Sequence, residues 1–399
     1  MELDCAFPGG NIVLERVDGS DVFLHQDIRD TAIAWFYWCL RVRGAAGRRL
    51  RFIFTESPAL GVRGPAISVD AGRTWAWLGR GVVDGNAFQC DMPGGAHEVR
   101  LSFAMPYQQS HWRAFMAELE NTPTVRQDRL CVTEKGRDVE CLTLRCRKKL
   151  PEHRVAITCR HHCCEMMANY VIEGLVRWIL ADAEAGWLRD NVEFLFVPFV
   201  DKDGVEDGDQ GKARKPRDHG RDYEGNSIYA STRAIRELIP RWSNGRLRVG
   251  LDIHCPHISG QNNETLYLVG SADKRIAAAQ KRFTNLLQAV SEGPLPFSAK
   301  DFLPFGQSWN TGANYAGGKM FSSWASEIPE VELATSIEVP YANAGGMEVN
   351  QESARAFGMD LGRGLTAYLR DMRLARDKKP RAGAGGRRRQ NTGKRKVGL

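Results

Sequence analysis

Residues 153–182 join a short apolar stretch to a longer stretch with helical spacing. The run HRVAITCR at 153–160 has the composition of a buried strand. From Met166 onward, the apolar side chains recur at intervals of three and four: Met167, Tyr170, Val171, Leu175, Trp178 and Ile179. The segment predicts a strand followed by a helix, which is the repeating unit of an α/β domain.

His162 and Glu165 lie three positions apart at the junction of these two predicted elements. Side chains at this spacing lie on one side of a helical turn, so both can reach a single point. Zinc is the divalent ion that most often binds such a pair, together with a third protein ligand and an open position for water. The HxxE pair alone is weak support for a metal site, because any His-rich helix start can contain one.

The bulk composition is that of a folded protein with more than one core. The chain has 399 residues, of which 43% are hydrophobic and 26% are charged, and this length suits two domains. No run of about 18 apolar residues is present, so no membrane span is expected. The first residues carry acids where a signal peptide needs Lys or Arg. We therefore expect a cytoplasmic location.

The ten cysteines show no spacing typical of a disulfide framework, which fits a reducing compartment. Cys163 and Cys164 lie inside the HxxE segment, and Cys255 directly follows His254. We considered these three thiols as zinc ligands. Small buried residues are the preferred interpretation, because a closed thiolate site would leave no position for water.

The basic charge of the chain is concentrated at its end. The formal net charge is +7, but residues 376–399 contain ten Lys and Arg against one Asp, so the rest of the chain is slightly acidic. These residues include many Gly and almost no apolar side chains, which predicts a disordered basic tail. Weak contact with a polyanion and a simple solubilising role are both open for this tail.

Residues 1–107 are predicted to form an accessory domain. Six short segments are rich in aromatic and β-branched residues and are separated by Gly or Asp turns: 34–42, 48–56, 66–70, 74–79, 88–92 and 97–105. Six short strands without an intervening helical period favour an antiparallel β-sandwich.

Residues 108–375 are predicted to form an α/β domain with a mixed sheet. The predicted elements are a connecting helix within 106–130, a hairpin at 131–146, strands at 192–200, 246–255, 265–270 and 334–342, helices at 228–242, 273–290 and 351–373, and loops at 205–227 and 293–320. The nearly continuous apolar run VEFLFVPFV at 192–200 is typical of a strand buried on both faces.

Several polar side chains lie at predicted strand ends, where ligands collect in such sheets. His254 ends the strand at 246–255, and Glu338 lies late in the strand at 334–342 between apolar neighbours. Arg214 and Arg221 lie in the loop after the strand at 192–200. Two His and one carboxylate can form an open zinc site, a further carboxylate can act as a base, and arginines suit a substrate that carries a carboxylate.

The same segments resemble the zinc carboxypeptidases of the carboxypeptidase A superfamily. The segment HHCCE at 161–165 resembles the family's HxxE segment, VPFVDKDG its "NPDG" turn, RDHGRDY its "DLNRD", LDIHCP its "DLHGH", and SIEVPYA the strand of its catalytic glutamate. Within residues 1–107, AWFYWCLRV and SVDAGRTW, together with the following SFAMPYQQSHW, are similar to the sandwich domain of cytosolic carboxypeptidases.

This resemblance implies a role for each matching residue. One zinc ion would be held by His162, Glu165 and His254, and Glu338 would be the general base. The resemblance further implies that Arg214 stabilises the oxyanion and that Arg221, with its neighbour Gly220, binds the terminal carboxylate of the substrate.

The sequence departs from the family pattern at Asp201-Lys202, which replace the Asn-Pro of the "NPDG" turn, and at Gly220. Gly220 stands where the family has Asn, so a carboxylate donor is missing or comes from elsewhere, with His219 and Tyr223 as candidates. Tyr315 is the candidate for the family's mobile tyrosine. His161 competes with His162 as a ligand, and His162 is preferred because it keeps the HxxE spacing.

The predicted function is that of a metallocarboxypeptidase acting on the C-terminus of a peptide or protein, or on a side-chain-linked glutamate. Two alternatives remain open at this point. One is a zinc amidohydrolase that cleaves N-acyl amino acids, and the other is a non-catalytic binding protein on the same fold.

Overall fold

The structure is a computed structural model that describes residues 1–377. The first part of the chain consists of strands alone, apart from one short 3₁₀ turn. These strands are β1 (Glu2–Asp4), β2 (Val13–Asp18), β3 (Asp21–His25), β4 (Cys39–Arg43), β5 (Arg49–Phe54), β6 (Ala66–Ser68), β7 (Ala76–Trp77), β8 (Val83–Asp84), β9 (Ala87–Asp91) and β10 (Glu98–Ser102).

These strands form two five-stranded sheets that pack face to face. The strand orders are β1-β4-β10-β6-β7 and β2-β3-β5-β9-β8. The Trp38 ring, which precedes β4, lies 5.0 Å from the Phe54 ring and 5.9 Å from the Phe88 ring of the opposite sheet. The predicted N-terminal β-sandwich is confirmed, although β3 and β5 pair in parallel among otherwise antiparallel neighbours.

The remaining elements alternate between helix and strand. They are α1 (Gln109–Glu118), β11 (Val125–Val132), β12 (Asp138–Leu144), β13 (His153–Cys159), α2 (Met167–Ala181), α3 (Gly186–Asn191), β14 (Val192–Val197), α4 (Lys202–Asp207), α5 (Ala230–Ser243), β15 (Leu247–His254), β16 (Tyr267–Val269), α6 (Lys274–Val290), α7 (Phe321–Ala325), β17 (Leu333–Glu338), β18 (Asn343–Ala344), β19 (Met347–Glu348) and α8 (Gln351–Asp377).

A seven-stranded mixed sheet forms the centre of this second part, in the order β11-β12-β14-β13-β15-β17-β16. The four strands β14, β13, β15 and β17 run parallel, and every residue of β15 and β17 is buried. Helices cover both faces, which explains why these strands are apolar along their whole length. The predicted α/β fold with a mixed sheet is confirmed.

The region predicted as a turn at 201–204 and a loop at 205–227 contains helix α4. The Asp201 carboxylate accepts a hydrogen bond from the Gly204 backbone at 2.9 Å and so caps this helix. The predicted basic tail, residues 376–399, lies outside the described residues except for its first two, which end α8. Within residues 1–377, no helix combines the length and apolar character needed to cross a membrane.

Candidate active site

The predicted metal ligands meet at the carboxyl ends of three adjacent parallel strands. His254 is the last residue of β15, and Glu338 is the last residue of the neighbouring strand β17. The two residues are Cα partners in the sheet register. His162 and Glu165 follow the end of β13, on the other side of β15. The sheet therefore brings together side chains that lie up to 176 positions apart in the sequence.

A turn rather than a helix holds His162 and Glu165 at the right spacing. The Glu165 backbone N–H donates to the His162 carbonyl at 3.1 Å, and helix α2 begins only afterwards. Arg160 stabilises the turn, with a φ of 60° and a buried guanidinium that donates to the Cys163 and Tyr107 carbonyls. The expected helical turn is wrong, but the i, i+3 backbone bond still places both side chains on one side.

The three side chains present a convergent set of donor atoms. The Glu165 carboxylate lies 2.7 Å from His162 Nδ1 through one oxygen and 2.7 Å from His254 Nδ1 through the other. One donor atom from each of the three residues lies within 4.8 Å of the others, and all three side chains are about 98% buried. The two candidate metal-binding groups among residues 1–377 contain no cysteine.

The Nε2 atoms of His162 and His254 point away from Glu165, and each faces another carboxylate. His254 Nε2 lies 2.7 Å from Asp252 Oδ2, and His162 Nε2 lies 3.7 Å from Asp218 Oδ2. Burial alone would lower the pKa of His254, but Asp252 and Glu165 outweigh it and hold this pKa well above its usual value. Such outer carboxylates orient metal-binding histidines and make them more basic.

His161 belongs to the support of this site rather than to its open face. Its Nδ1 lies 2.9 Å from Asp252 Oδ1, and its Nε2 lies 2.8 Å from the Tyr223 hydroxyl. It is fully buried and does not line the adjacent cavity, whereas His162 does. The geometry therefore favours His162 over His161 as the ligand.

A cavity of about 250 Å³ opens onto His162, Glu165, His254 and Glu338. Two imidazole nitrogens and one carboxylate with room beside them are the donor set of an open zinc site. The orientation of both Nδ1 atoms toward Glu165, and of both Nε2 atoms toward outer carboxylates, fits this ion. The residues present thus suit a zinc ion with an open coordination position.

Glu338 is the second carboxylate at the cavity. Burial raises the pKa of Glu338 to about 7, while the nearby positive charges of His254 and Lys212 oppose this rise. Within residues 1–377, its Oε2 atom has no hydrogen-bond partner. A buried carboxyl with an unused oxygen and a pKa near neutrality is suited to proton transfer.

The two predicted arginines lie in different surroundings. Arg221 lines the cavity, and its guanidinium donates only to the carbonyls of Gly220 and Asn314 among the described residues. Arg214 does not line the cavity, because its guanidinium is bound by Asp201 at 2.7 Å and Asp209 at 2.9 Å. Arg221 thus faces the cavity, whereas Arg214 does not.

The other predicted substrate-binding residues surround the cavity without entering it. A Cβ at Gly220 would lie 3.1 Å from His162 Nε2, so this glycine leaves space for the imidazole. Tyr315 donates to Asn310 and lines a neighbouring cavity of about 510 Å³. His219 is buried and stacked on Tyr229, with ring centroids 3.6 Å apart. The Tyr223 hydroxyl lies 2.8 Å from His161 Nε2 and is already hydrogen-bonded there.

The cavity also contains residues that the sequence analysis did not single out, among them Lys212, Tyr267 and Trp35. Tyr267 is the sheet partner of Glu338 on its other side, and this register is not visible in the sequence. Trp35 comes from the N-terminal part of the chain, where no cluster of polar residues indicated a site. Lys212 lies two positions before Arg214, and only its surroundings distinguish the two cations.

Comparison with known proteins finds a family model that matches the middle of the chain. Residues 112–253 match the family model described as zinc carboxypeptidase. This match includes His162, Glu165 and both arginines. Over 213 residues the chain is 23% identical to an uncharacterized protein of Zymomonas mobilis, a match that covers 51% of this chain and 54% of that protein. The chain thus spans about half the length of the curated relative it matches.

Solved structures share the fold at low identity. A metallo-carboxypeptidase from Burkholderia cenocepacia matches with a TM-score of 0.76 and 20% identity, covering 93% of this chain and 99% of that one. A metallo-carboxypeptidase from Pseudomonas aeruginosa matches with a TM-score of 0.73 and 20% identity, again covering 93% of this chain and 99% of that one. Carboxypeptidase A from Helicoverpa armigera covers 70% of this chain and 76% of that one, with a TM-score of 0.51 and 15% identity.

The two bacterial matches extend over the N-terminal sandwich as well as the mixed sheet, since they cover 93% of the chain. Together with the zinc carboxypeptidase model that matches residues 112–253, they show that this chain shares the fold of metallo-carboxypeptidases over most of its length.

Proposed function

We propose that this protein is a zinc-dependent carboxypeptidase that hydrolyses the bond to a C-terminal residue of a peptide or protein, either in the main chain or linked through a glutamate side chain. One observation carries the proposal. A single cavity contains a His-Glu-His donor set, a buried carboxylate with an unused oxygen, and an arginine with no carboxylate partner among the described residues.

The metal would be held by His162, Glu165 and His254. Bound zinc supplies Lewis acidity, which lowers the pKa of a water and polarises a carbonyl. Asp218 and Asp252 would keep the two imidazoles oriented, because each faces an outer nitrogen.

Glu338 would be the general base. It faces the same cavity as the donor set and has a raised pKa, so it can accept a proton from the attacking water and release it again. The same carboxyl would then donate the proton to the leaving amine. A carboxylate with an ordinary pKa would be a weaker base and would accept the proton of the attacking water less readily.

Arg221 would bind the terminal carboxylate of the substrate. A guanidinium can donate two parallel hydrogen bonds to a carboxylate, and this pairing would restrict cleavage to the chain end. The Pseudomonas aeruginosa metallo-carboxypeptidase was solved in complex with a succinic acid derivative. A succinic acid carries carboxylates, so that complex is consistent with carboxylate recognition in proteins of this fold.

Metal content and hydrolysis of a peptide panel would test the proposal. We expect one zinc per chain and release of the last residue by the parent protein. The variant Glu338→Gln should keep the zinc and lose turnover, while the exposed control Glu120→Gln should behave like the parent. Hydrolysis of N-acyl amino acids but not peptides would favour the amidohydrolase. Zinc binding without hydrolysis of either would favour the binding protein.

The cytoplasmic location and the polyanion contact of the basic tail belong to the same proposal. The absence of a disulfide-type cysteine spacing supports the first, and the charge of residues 376–399 supports the second. Cell fractionation would test the location. Removal of residues 378–399 should weaken retention on a heparin column if the tail binds polyanions.

A further inference from the structure

The loop that follows α4 is held in place by the N-terminal part of the chain. The Asp30 carboxylate accepts hydrogen bonds from the backbone of Gln210 and Gly211, each at 2.9 Å. The Thr31 hydroxyl donates to the Lys212 carbonyl at 2.6 Å. These bonds hold the backbone of the loop that carries Lys212 and Arg214.

Arg214 is held away from the cavity by this arrangement. Its guanidinium lies within 3.5 Å of Asp30, in addition to its closer contacts with Asp201 and Asp209. Burial alone would lower the pKa of Arg214, but these carboxylates, chiefly Asp201, raise it. An arginine bound by three carboxylates has little remaining capacity to stabilise a new negative charge.

Lys212 lies in the opposite situation. It lines the cavity together with His162, His254 and Glu338. Within residues 1–377, no carboxylate forms an ion pair with it, and its Nζ atom lies 5.9 Å from the centroid of the Trp35 ring. Lys212 is half-buried: one side of its side chain packs against the protein and the other side faces the cavity.

We propose that Lys212, and not Arg214, stabilises the negative charge that develops on the carbonyl oxygen of the substrate. This inference rests on the proposed function. When water adds to the scissile carbonyl, the new C–O bond places a negative charge on the carbonyl oxygen, and the ammonium of Lys212 donates a hydrogen bond to it. The C–N bond then breaks, and Glu338 passes the proton from the water to the amine. Lys212 transfers no proton in this sequence.

The two cations of the cavity differ in their position relative to the reacting centre. Lys212 lines the cavity with Glu338 and has no carboxylate partner among the described residues, whereas the Arg221 guanidinium donates to the carbonyls of Gly220 and Asn314. The Arg221 guanidinium lies 5.3 Å from the centroid of the Tyr315 ring, beside the neighbouring 510 Å³ cavity. Lys212 is thus assigned to the reacting carbonyl and Arg221 to the terminal carboxylate.

Steady-state kinetics of Lys212→Met and Lys212→Arg, with Lys215→Met as the control, would test this role. Lys215 is an exposed lysine of the same loop. We expect Lys212→Met to lower kcat by about 10²–10³-fold, the usual effect of removing one oxyanion donor. KM and zinc content should change less than threefold. Lys212→Arg should recover at least a tenth of the activity, because it restores a cationic donor, and Lys215→Met should match the parent.

A binding measurement separates this inference from the proposed function. A peptide phosphonate carries the tetrahedral charge of the transition state, and calorimetry of the zinc-loaded protein measures its affinity without turnover. Lys212→Met should weaken phosphonate binding at least tenfold. An active parent whose Lys212→Met variant keeps kcat and phosphonate affinity within twofold would overturn the role of Lys212. A zinc-loaded parent that hydrolyses nothing would refute the proposed function, and the phosphonate affinities would still decide the role of Lys212.

Discussion

Replacement of Arg214 by Met should destabilise the protein rather than remove a catalytic group. The guanidinium compensates three carboxylates, Asp30, Asp201 and Asp209, whose side chains are each less than 10% exposed. Removing one partner of a buried ion pair costs about 3–5 kcal/mol, because the remaining charges stay buried without compensation. Arg214 also connects the N-terminal sandwich, through Asp30, to the loop that carries Lys212.

The midpoint of urea denaturation at pH 7 would measure this loss, with Arg217→Met as the matched control. Arg217 lies in the same loop and pairs with one carboxylate, Asp222, so its replacement should cost less. The loss of stability of Arg214→Met relative to the parent should become smaller toward pH 4. The Arg214 charge favours the ionised form of the buried Asp201 and Asp209 carboxyls, so without it they bind protons more readily in the folded variant and lose the uncompensated charge as the pH falls.

The kinetics of the same variant test whether Arg214 has a structural role, and one outcome would refute it. We expect kcat of the folded fraction to remain within about fivefold of the parent, because Arg214 does not line the cavity. A variant as stable as the parent, with kcat reduced about 10²-fold or more at unchanged zinc content, would show that Arg214 is the oxyanion donor. That outcome would also contradict the assignment of Lys212.

Two further predictions concern the metal centre and the helix packing. Asp252→Asn should lower zinc affinity about 10–100-fold, because its carboxylate orients His254; competition with a chelator measures this affinity, and an unchanged value would contradict the supporting role. Gly174→Ala should destabilise the fold by about 1–3 kcal/mol, since a Cβ there would lie 1.9 Å from the Arg355 carbonyl oxygen across α2 and α8. The control Gly186→Ala, whose Cβ would meet only a side chain at 3.8 Å, should show no such loss in thermal denaturation.

The sequence by itself indicated most of the strands and long helices of the α/β part and the candidate metal ligands, but not the short helices α3, α4 and α7. Apolar periodicity is a local property, so the strands that end at His254 and Glu338 could be recognised from their neighbours alone. The HxxE spacing is equally local, and the structure keeps it although a turn replaces the expected helical start.

The tertiary structure alone decided which side chains of equal chemistry face the cavity. Lys212 and Arg214 are two cations separated by one residue, and their roles depend on whether Asp30, Asp201 and Asp209 are nearby. Tyr267 and Tyr315 are distinguished in the same way, by the sheet register of β16 against β17. Such distinctions depend on contacts between separate segments of the chain, such as Asp30 with Arg214 and Tyr267 with Glu338, and local sequence patterns carry no information about these contacts.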